Sequence, residues 1–283
     1  MKKGLVLEGG GLRSLFSEGV FDVLLENDIC FDGAIGVSAG ASIGCNMKTK
    51  QIGRGLRYNS NLAHDKRYIS LWSLFTSGDI VNREFSYHVV PFKHDIIDVE
   101  TYDNNPMEFH AVCTDVQTGE MVVKRLDKMD HESLDWLCAS LSMPIVSRPV
   151  ELDGKKLLDG GIVNSIPLEY FQQLGYEKNL VILTQPKGYK KHKTKLMPLF
   201  RIFCRKYPAI IRAMARSHEM YNDQLAFIAE QESKGKTLVI CPDEVLPIGR
   251  IEMKPEKMKV VYDMGRRAGL ANLERIKQFL NEE

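Results

Sequence analysis

Apolar residues recur along the chain at two spacings, which predict strands and helices in turn. Residues 3–7 form a short apolar run typical of a strand, and residues 14–27 carry apolar side chains on one helical face. Residues 31–35 and 39–48 repeat this order of strand and helix. Strands that alternate with helices form parallel sheets with helices on their faces, so the pattern predicts an α/β fold.

The same periodicities, together with turn residues, predict the elements further along the chain. The predicted strands are residues 107–114, 120–126, 180–184 and 237–241, with a hairpin at 150–158 around Asp153-Gly154. The predicted helices are residues 131–142, 165–174, 207–234 and 255–280, with Ser165 as an N-cap. For residues 50–105 the pattern predicts mixed helix and loop, and this segment is a candidate cap over a site. No repeat or low-complexity segment divides the chain, so we expect one domain over residues 1–283.

A serine lies between two glycines where the second predicted strand meets its helix, in Gly36-Val37-Ser38-Ala39-Gly40. This G-x-S-x-G pattern is typical of a nucleophile elbow, a sharp turn that exposes the serine hydroxyl. The glycines avoid collisions in such a turn, and the helix N-terminus directs N–H groups and a positive dipole end toward the serine. Ser38 is therefore a candidate nucleophile.

A nucleophilic serine needs a base, and histidine, the usual base, has no suitable position here. His218, the last of seven histidines, lies inside a predicted helix, and Ser38 follows only two strands, so a Ser-Asp-His triad fits poorly. We expect the histidines to be core or surface residues. Asp159 ends a predicted hairpin and precedes Gly160-Gly161 and a helix, a position where a functional carboxylate can be held firmly, although Asp-Gly-Gly alone is usually a turn.

A glycine-rich loop follows the first predicted strand. Its candidate anion-binding residues are Gly9, Gly10, Gly11 and Arg13. Consecutive glycines leave backbone N–H groups free to point at an anion, and the arginine adds positive charge. A nucleotide loop is a rival interpretation, because residues 9–14 approximate a dinucleotide pattern with Asp28 or Asp32 near the expected acidic position. A plain tight turn is the third.

The glycine triplet, the elbow and the Asp-Gly-Gly segment, in this order, resemble the patatin-like phospholipases. The resemblance extends over about residues 4–48 and 107–186 and includes residues 139–154. It implies a three-layer α/β/α fold with a largely parallel central sheet. It also implies a lipid acyl hydrolase of the phospholipase A or lysophospholipase type that acts on phospholipid or another acyl lipid without metal or cofactor.

The resemblance assigns roles residue by residue. Ser38 is the nucleophile, Asp159 the proton acceptor, and Gly36 and Gly40 form the elbow. The oxyanion hole consists of Gly9, Gly10, Gly11 and Arg13. Glu8 stands where the family commonly has Asp, and Ser14 where it commonly has Gly, which bears on the geometry of the loop. An acyltransferase, a thioesterase, a non-hydrolytic nucleotide-binding protein and a catalytically silent scaffold remain open as alternatives.

Composition and charge add little to this picture. Hydrophobic content is 44%, charged content 27% and formal net charge +1, which are ordinary for a folded globular protein and identify no partner. The chain has no apolar run of 18 residues, and its N-terminal apolar run is too short for a signal peptide, so we expect a cytoplasmic location. Six cysteines without CxxC pairs predict buried free thiols and no zinc site.

One segment has a strong local charge. Residues 187–216 contain ten Lys or Arg and no acidic residue, interleaved with apolar and aromatic side chains. This pattern favours peripheral contact with an anionic membrane, while a solvated loop followed by a core helix explains it equally well. No nucleic-acid-binding motif accompanies the charge, so we expect no nucleic-acid partner. The segment opens the C-terminal helical part, residues 187–283; the lipid head group and the oligomeric state stay undetermined.

Overall fold

The computed structural model describes residues 1–281. A mixed eight-stranded sheet forms its centre, in the order β5-β6-β3-β2-β1-β7-β8, with β4 paired to β3. The strands are β1 (Lys2–Leu7), β2 (Gly33–Val37), β3 (Glu108–Asp115), β4 (Met121–Arg125), β5 (Val150–Leu152), β6 (Lys155–Asp159), β7 (Tyr176–Ile182) and β8 (Thr237–Ile240). Strands β1, β2, β3, β7 and β8 pair in parallel, whereas β4, β5 and β6 pair antiparallel.

Helices cover both faces of this sheet. They are α1 (Leu15–Glu26), α2 (Ala39–Thr49), α3 (Arg54–Asn61), α4 (Leu71–Ser77), α5 (Val99–Asn104), α6 (His131–Leu141), α7 (Leu168–Gln173), α8 (Met197–Phe203), α9 (Pro208–Ser233), α10 (Pro255–Ala271) and α11 (Leu273–Asn281). A π-helix, Glu84–His94, lies between α4 and α5. No helix within residues 1–281 combines the length and the apolar character needed to cross a membrane.

The two helical layers follow from alternation along the buried strands. In β1, Leu5 and Leu7 face the core under α1, α2, α6 and α10, while Val6 faces the core under α7 and α9. Successive side chains of a strand point to opposite faces, so a strand that is apolar at every position needs a helical layer on each side. The fold is therefore the three-layer α/β/α arrangement that the sequence predicts.

The edges of β3 bring two distant strand ends together. At Cys113, β3 pairs with both β4 and β6, so these two strands occupy opposite edges. Strands β2 and β4 both pair with residues 110–112 of β3, so they too lie on opposite edges of β3. Strand β2 therefore shares the edge that β6 occupies. Strand β2 ends with Val37 opposite Val112, and β6 ends with Asp159 opposite the next residue, Cys113. The residues that follow β2 therefore meet the end of β6.

Most predicted elements are confirmed with boundaries shifted by one or two residues. The hairpin at 150–158 and the helix at 39–48 appear as β5–β6 and α2, and residues 50–105 are mostly short helices. The strand predicted at 31–35 instead spans Gly33–Val37, and the one predicted at 180–184 spans Tyr176–Ile182. The sequence predicts an earlier end at Ile35 because Gly36, a weak strand former, follows it.

Two helical predictions are wrong in detail. Ser165 is not an N-cap, because α7 begins only at Leu168, after Pro167. The residue before a proline is disfavoured in the helical region, so Ile166 cannot belong to the helix. The helix predicted at 255–280 is two helices separated at Asn272, whose side-chain amide donates to the Ala268 carbonyl oxygen at 2.9 Å.

All six cysteines are free thiols in the described chain, as the sequence predicts. Their burial is only partly as predicted. Cys45, Cys113, Cys138 and Cys204 are buried and Cys241 is half-buried, but Cys30 is exposed. Cys30 follows the turn that ends α1, where the chain runs over the surface before β2.

Candidate active site

Ser38 lies at a sharp turn between β2 and α2. Its backbone has φ 55° and ψ −128°, a conformation that residues with a side chain rarely adopt. The flanking glycines allow the close packing around this turn. A Cβ atom at Gly36 would lie 2.6 Å from the Ala41 nitrogen, and one at Gly40 would lie 2.6 Å from the Glu8 carbonyl oxygen. The chain therefore turns as an elbow with Ser38 at its apex.

A second serine fixes the elbow from α6. The Ser38 N–H donates to Ser140 Oγ at 3.0 Å, and the Ser140 hydroxyl donates to the Val112 carbonyl oxygen at 2.6 Å. Ser140 is fully buried, so these bonds form away from water. Ser140 could not be predicted to contact Ser38, because no sequence motif joins positions 102 residues apart.

Ser38 and Asp159 are in direct contact. The Ser38 hydroxyl donates to Asp159 Oδ2 at 2.7 Å, and the Gly161 N–H donates to Asp159 Oδ1 at 2.7 Å. Burial raises the pKa of the Asp159 carboxyl, although these two hydrogen bonds and the positive charges of Arg250 and Lys191 oppose the rise. A buried carboxyl with a raised pKa is a better proton acceptor than an exposed one.

The backbone around Asp159 is also held on both sides. Its N–H donates to the Ser142 carbonyl oxygen at 2.8 Å, and its carbonyl oxygen accepts from the Thr114 hydroxyl at 2.8 Å. Glycine is required at position 160, because a Cβ atom there would overlap the Val112 carbonyl oxygen. The Asp-Gly-Gly sequence is therefore part of the packing against β3.

The glycine loop lies against the elbow. A Cβ atom at Gly9 would come within 3.0 Å of Ser38 Cβ, so the loop and the serine are in van der Waals contact. Within residues 1–281, the N–H groups of Gly9, Gly10 and Gly11 donate to no other group. Gly11 has φ +60°, a conformation that favours glycine. Unpaired amides beside a serine hydroxyl are the kind of donors that an oxyanion hole uses.

Glu8 and Arg13 hold this loop in place through hydrogen bonds. Glu8 is buried, and its carboxylate accepts from the Thr184 N–H at 2.5 Å and from the Tyr221 hydroxyl at 2.7 Å. Arg13 Nε donates to the Gly10 carbonyl oxygen at 3.3 Å. Glu8, which stands where patatin-like phospholipases commonly have Asp, therefore links the loop to the end of β7 and to α9.

The histidines do not enter this arrangement. Among the described residues, none is hydrogen-bonded to Ser38 or Asp159; His88, for example, contacts His131 and Asp135. Asp28 and Asp32 both precede β2, whereas the glycine loop follows the parallel strand β1. They therefore lie at the opposite end of the parallel strands from the loop, beyond reach of a ribose bound there.

Comparisons with known proteins identify the family of this chain. The family model described as "Patatin-like phospholipase" matches residues 5–171, and one described as "Domain of unknown function (DUF6363)" matches residues 207–281. The first match spans more than half of the chain and contains the glycine loop, the elbow and Asp159. The chain therefore belongs to the patatin-like phospholipase family, which supports a hydrolase acting on lipids.

Curated relatives are distant and mostly uncharacterised. An uncharacterised NTE family protein, Rv1063c of Mycobacterium tuberculosis, is 26% identical over 58% of this chain and 44% of its own length. The uncharacterised protein YjjU of Escherichia coli is 23% identical over 99% of this chain and 79% of its own. The alignment thus spans less than half of the mycobacterial protein. In a search of solved structures, VipD from Legionella pneumophila matches 97% of this chain and 67% of its own, with TM-score 0.46 and 13% identity.

Proposed function

We propose that the protein is a serine lipid acyl hydrolase of the phospholipase A or lysophospholipase type, with Ser38 as nucleophile and Asp159 as base. The observation that carries the proposal is the 2.7 Å hydrogen bond from the Ser38 hydroxyl to Asp159 Oδ2 at a strained elbow. The free amides of the neighbouring glycine loop support it, as does membership of the family.

In the first half-reaction, Ser38 Oγ attacks the ester carbonyl carbon and Asp159 takes the hydroxyl proton. The carbonyl oxygen becomes an oxyanion and accepts hydrogen bonds from the Gly10 and Gly11 N–H groups, with Arg13 holding the loop. As the tetrahedral intermediate collapses, the bond to the alcohol oxygen breaks and that oxygen receives the proton from Asp159. The product is an acyl-serine, and the alcohol departs.

The second half-reaction repeats these steps with water. Asp159 removes a proton from a water molecule, whose oxygen attacks the acyl-serine carbonyl carbon. The second tetrahedral intermediate collapses by breaking the bond to Ser38 Oγ, which regains the proton. The fatty acid is released, and every atom and proton is accounted for by substrate, water and the Ser38–Asp159 pair.

A fluorophosphonate probe followed by mass spectrometry tests the dyad. We expect the probe to label Ser38 in the purified protein, and Asp159→Asn to lower both the labelling rate and ester hydrolysis by about 10²–10⁴-fold. Ser38→Ala should abolish both. Unchanged hydrolysis in either folded variant would rule out this dyad.

Acyl acceptors other than water would act on the same acyl-serine. An acyltransferase would pass the acyl group to an alcohol, and a thioesterase would begin from a thioester; product analysis with each substrate separates them from a hydrolase. A nucleotide site at the glycine loop has weaker support, because Asp28 and Asp32 lie at the other end of the parallel strands β1 and β2. Specific labelling of Ser38 would also exclude a silent scaffold.

We also propose peripheral contact with an anionic membrane through residues 187–216. Helix α8 buries Phe200 but leaves Ile202 63% and Phe203 62% exposed, next to the cations Arg201 and Arg205. Apolar side chains beside positive charges suit the boundary between lipid tails and anionic head groups. Lys191 does not belong to this exposed surface, since it is half-buried near the candidate active site.

Vesicle sedimentation tests the contact. Reversing the exposed charges Lys190→Glu and Lys193→Glu together should weaken binding to phosphatidylserine-containing vesicles by about 2 kcal/mol, near thirtyfold, because each lysine contributes about 1 kcal/mol. The matched control reverses Lys234 and Lys236, which precede β8 and so lie at the opposite end of the parallel strands β7 and β8 from residues 187–216. Equal binding by both double variants would contradict a specific docking surface.

A further inference from the structure

Three positively charged side chains lie around the proposed active site without a carboxylate partner. They are Arg13, Lys191 and Arg250. None of the three forms an ion pair among residues 1–281, although the chain has many acidic residues. Arg13 and Lys191 are half-buried. Cations that are partly removed from water are usually paired, so these two side chains suggest a missing anion.

Lys191 is held firmly next to the glycine loop. Its backbone N–H donates to Asn222 Oδ1 at 2.9 Å, and its backbone carbonyl oxygen accepts from Asn222 Nδ2 at 3.0 Å. The ammonium lies 5.1 Å from the centroid of the Tyr221 ring, and the Tyr221 hydroxyl bonds to Glu8, which directly precedes Gly9. The Lys191 backbone is thus held by Asn222, and its ammonium lies over Tyr221 beside the loop.

Arg250 reaches the same place from the loop after β8. Its carbonyl oxygen accepts from the Leu12 N–H at 2.9 Å, and a Cβ atom at Gly11 would overlap this oxygen. The backbone of Arg250 is therefore packed against the glycine loop, while the side chain is exposed. An exposed guanidinium at this position is accessible to a ligand.

The two nearby carboxyl groups are already engaged. Glu8 accepts from Thr184 and Tyr221, and Asp159 accepts from Ser38 and Gly161. Burial first, and repulsion from Arg250 second, lower the pKa of Lys191 to about 8, against the opposing attraction of Glu8 and Asp159. Lys191 is therefore within electrostatic range of the proposed base, yet neither carboxylate neutralises it.

We propose that Lys191 and Arg250, beside Arg13, bind a phosphate group of the substrate, so that the preferred substrate is an acyl ester with a net-negative phosphate head group. This inference rests on the proposed function. A phosphate would accept charge-assisted hydrogen bonds from the guanidinium and the ammonium and would replace the missing anion. Neutral and zwitterionic esters would offer less charge to the cluster.

Monomeric short-chain substrates test the inference without a membrane. The measurement compares kcat/KM for a dihexanoyl glycerol phosphate and for a neutral dihexanoyl glycerol. Lys191→Gln and Arg250→Gln should each lower the phosphate-to-neutral ratio about tenfold or more, chiefly by raising KM for the phosphate ester. Lys191→Arg, which keeps the charge, should restore most of the ratio. The controls Lys190→Gln and Arg205→Gln remove the same charge from exposed positions and should leave the ratio unchanged.

Three outcomes would overturn the inference. The first is an unchanged ratio in Lys191→Gln and Arg250→Gln while both variants hydrolyse the neutral ester; the proposed hydrolase would then stand and only the phosphate subsite would fail. The second is stimulation of neutral-ester hydrolysis by inorganic phosphate, which would make the cluster a site for free phosphate as an effector. The third is absence of both fluorophosphonate labelling and hydrolysis of any ester in the wild-type protein, which would end the proposed function as well.

Discussion

Ser38 is kept in its unusual backbone conformation by neighbours that have no proposed role in catalysis. A left-handed conformation at a residue with a side chain costs about 1–3 kcal/mol and persists only where the surroundings enforce it. Here the Ser140 hydroxyl binds the Ser38 N–H, and close packing at Gly36 and Gly40 leaves the chain no wider turn. The strain presents Ser38 Oγ to Asp159 before any substrate binds.

The raised pKa of Asp159 predicts the acidic limb of the pH–rate profile. The base must be ionised, and burial favours its neutral form, so kcat/KM should rise with pH through a midpoint above the ordinary value of about 4. The positive charges of Arg250 and Lys191 oppose the increase in the pKa of Asp159. The measurement uses a neutral, water-soluble ester, so that substrate ionisation does not contribute.

One variant tests whether the ionisation of Asp159 causes this acidic limb. Arg250→Gln removes a positive charge that stabilises the Asp159 carboxylate, so the midpoint should move to higher pH. Arg205→Gln, the exposed control, should leave the midpoint where it is. A profile that is flat down to pH 4 would contradict Asp159 as a base with a raised pKa.

Residues near motifs could be predicted from the sequence, and residues that act from other elements could not. Ser38 and Asp159 stand in short patterns whose spacing carries chemical meaning, although their roles remain predictions. Ser140 and Arg250 reach the elbow and the glycine loop only through tertiary packing, across 102 and 238 positions. Neither lies in a pattern that distinguishes it from an ordinary helix or loop residue.

At the scale of elements, buried acids on α1 anchor the start of α3. Glu18 accepts from the Gly55 and Leu56 N–H groups at 2.5 and 2.7 Å. Asp22 accepts from the Gly53 N–H and from the Tyr262 hydroxyl, both at 2.7 Å. The N–H groups at a helix start lack partners within the helix, so these carboxyl groups satisfy donors that would otherwise be buried unpaired.

Asp22 should make stability depend on pH in a definite direction. Burial raises its pKa from 3.8 to about 6, so the folded protein binds a proton more tightly than the unfolded chain does. Its contribution to stability is complete below about pH 4 and is lost as pH rises through 6. Asp22→Asn has no such loss, so its free energy of unfolding relative to wild type should increase by about 1–3 kcal/mol from pH 4 to 7.

Urea unfolding of both proteins across this pH range measures the difference. The control is Asp28→Asn, because Asp28 is exposed and asparagine tolerates its left-handed conformation. The control's stability relative to wild type should stay constant with pH. A constant difference for Asp22→Asn as well would show that Asp22 does not couple protonation to folding.

The order of the elements could be predicted far better than their contacts. Local periodicity records which face of a helix or strand is buried, and this is enough to place β1, α1, β2 and α2. It does not record that β2 and β6 share one edge of β3, which is the arrangement that joins Ser38 to Asp159. Pairing between strands depends on tertiary packing, which local periodicity does not carry.

At the scale of the whole molecule, two family models match separate ranges of the chain, residues 5–171 and 207–281. The packing shows no corresponding boundary between two domains. Strand β8 belongs to the same sheet as β1, and α10 packs along α1. The helix pair is so close that a Cβ atom at Gly19 would overlap the Tyr262 carbonyl oxygen, and one at Gly265 would overlap that of Phe16. This continuity supports the prediction of a single domain.

Gly265→Ala tests that prediction. The added methyl group forces two backbones apart and should lower the free energy of unfolding by about 1–3 kcal/mol. In a single domain, the loss is shared by the whole molecule, so fluorophosphonate labelling of Ser38 and helical circular dichroism should disappear together at a lower urea concentration. Gly249→Ala, where a Cβ atom meets only ordinary contacts, should leave the midpoint unchanged. If the variant instead loses helical signal first while Ser38 still reacts, residues 207–281 unfold independently and the chain has two domains.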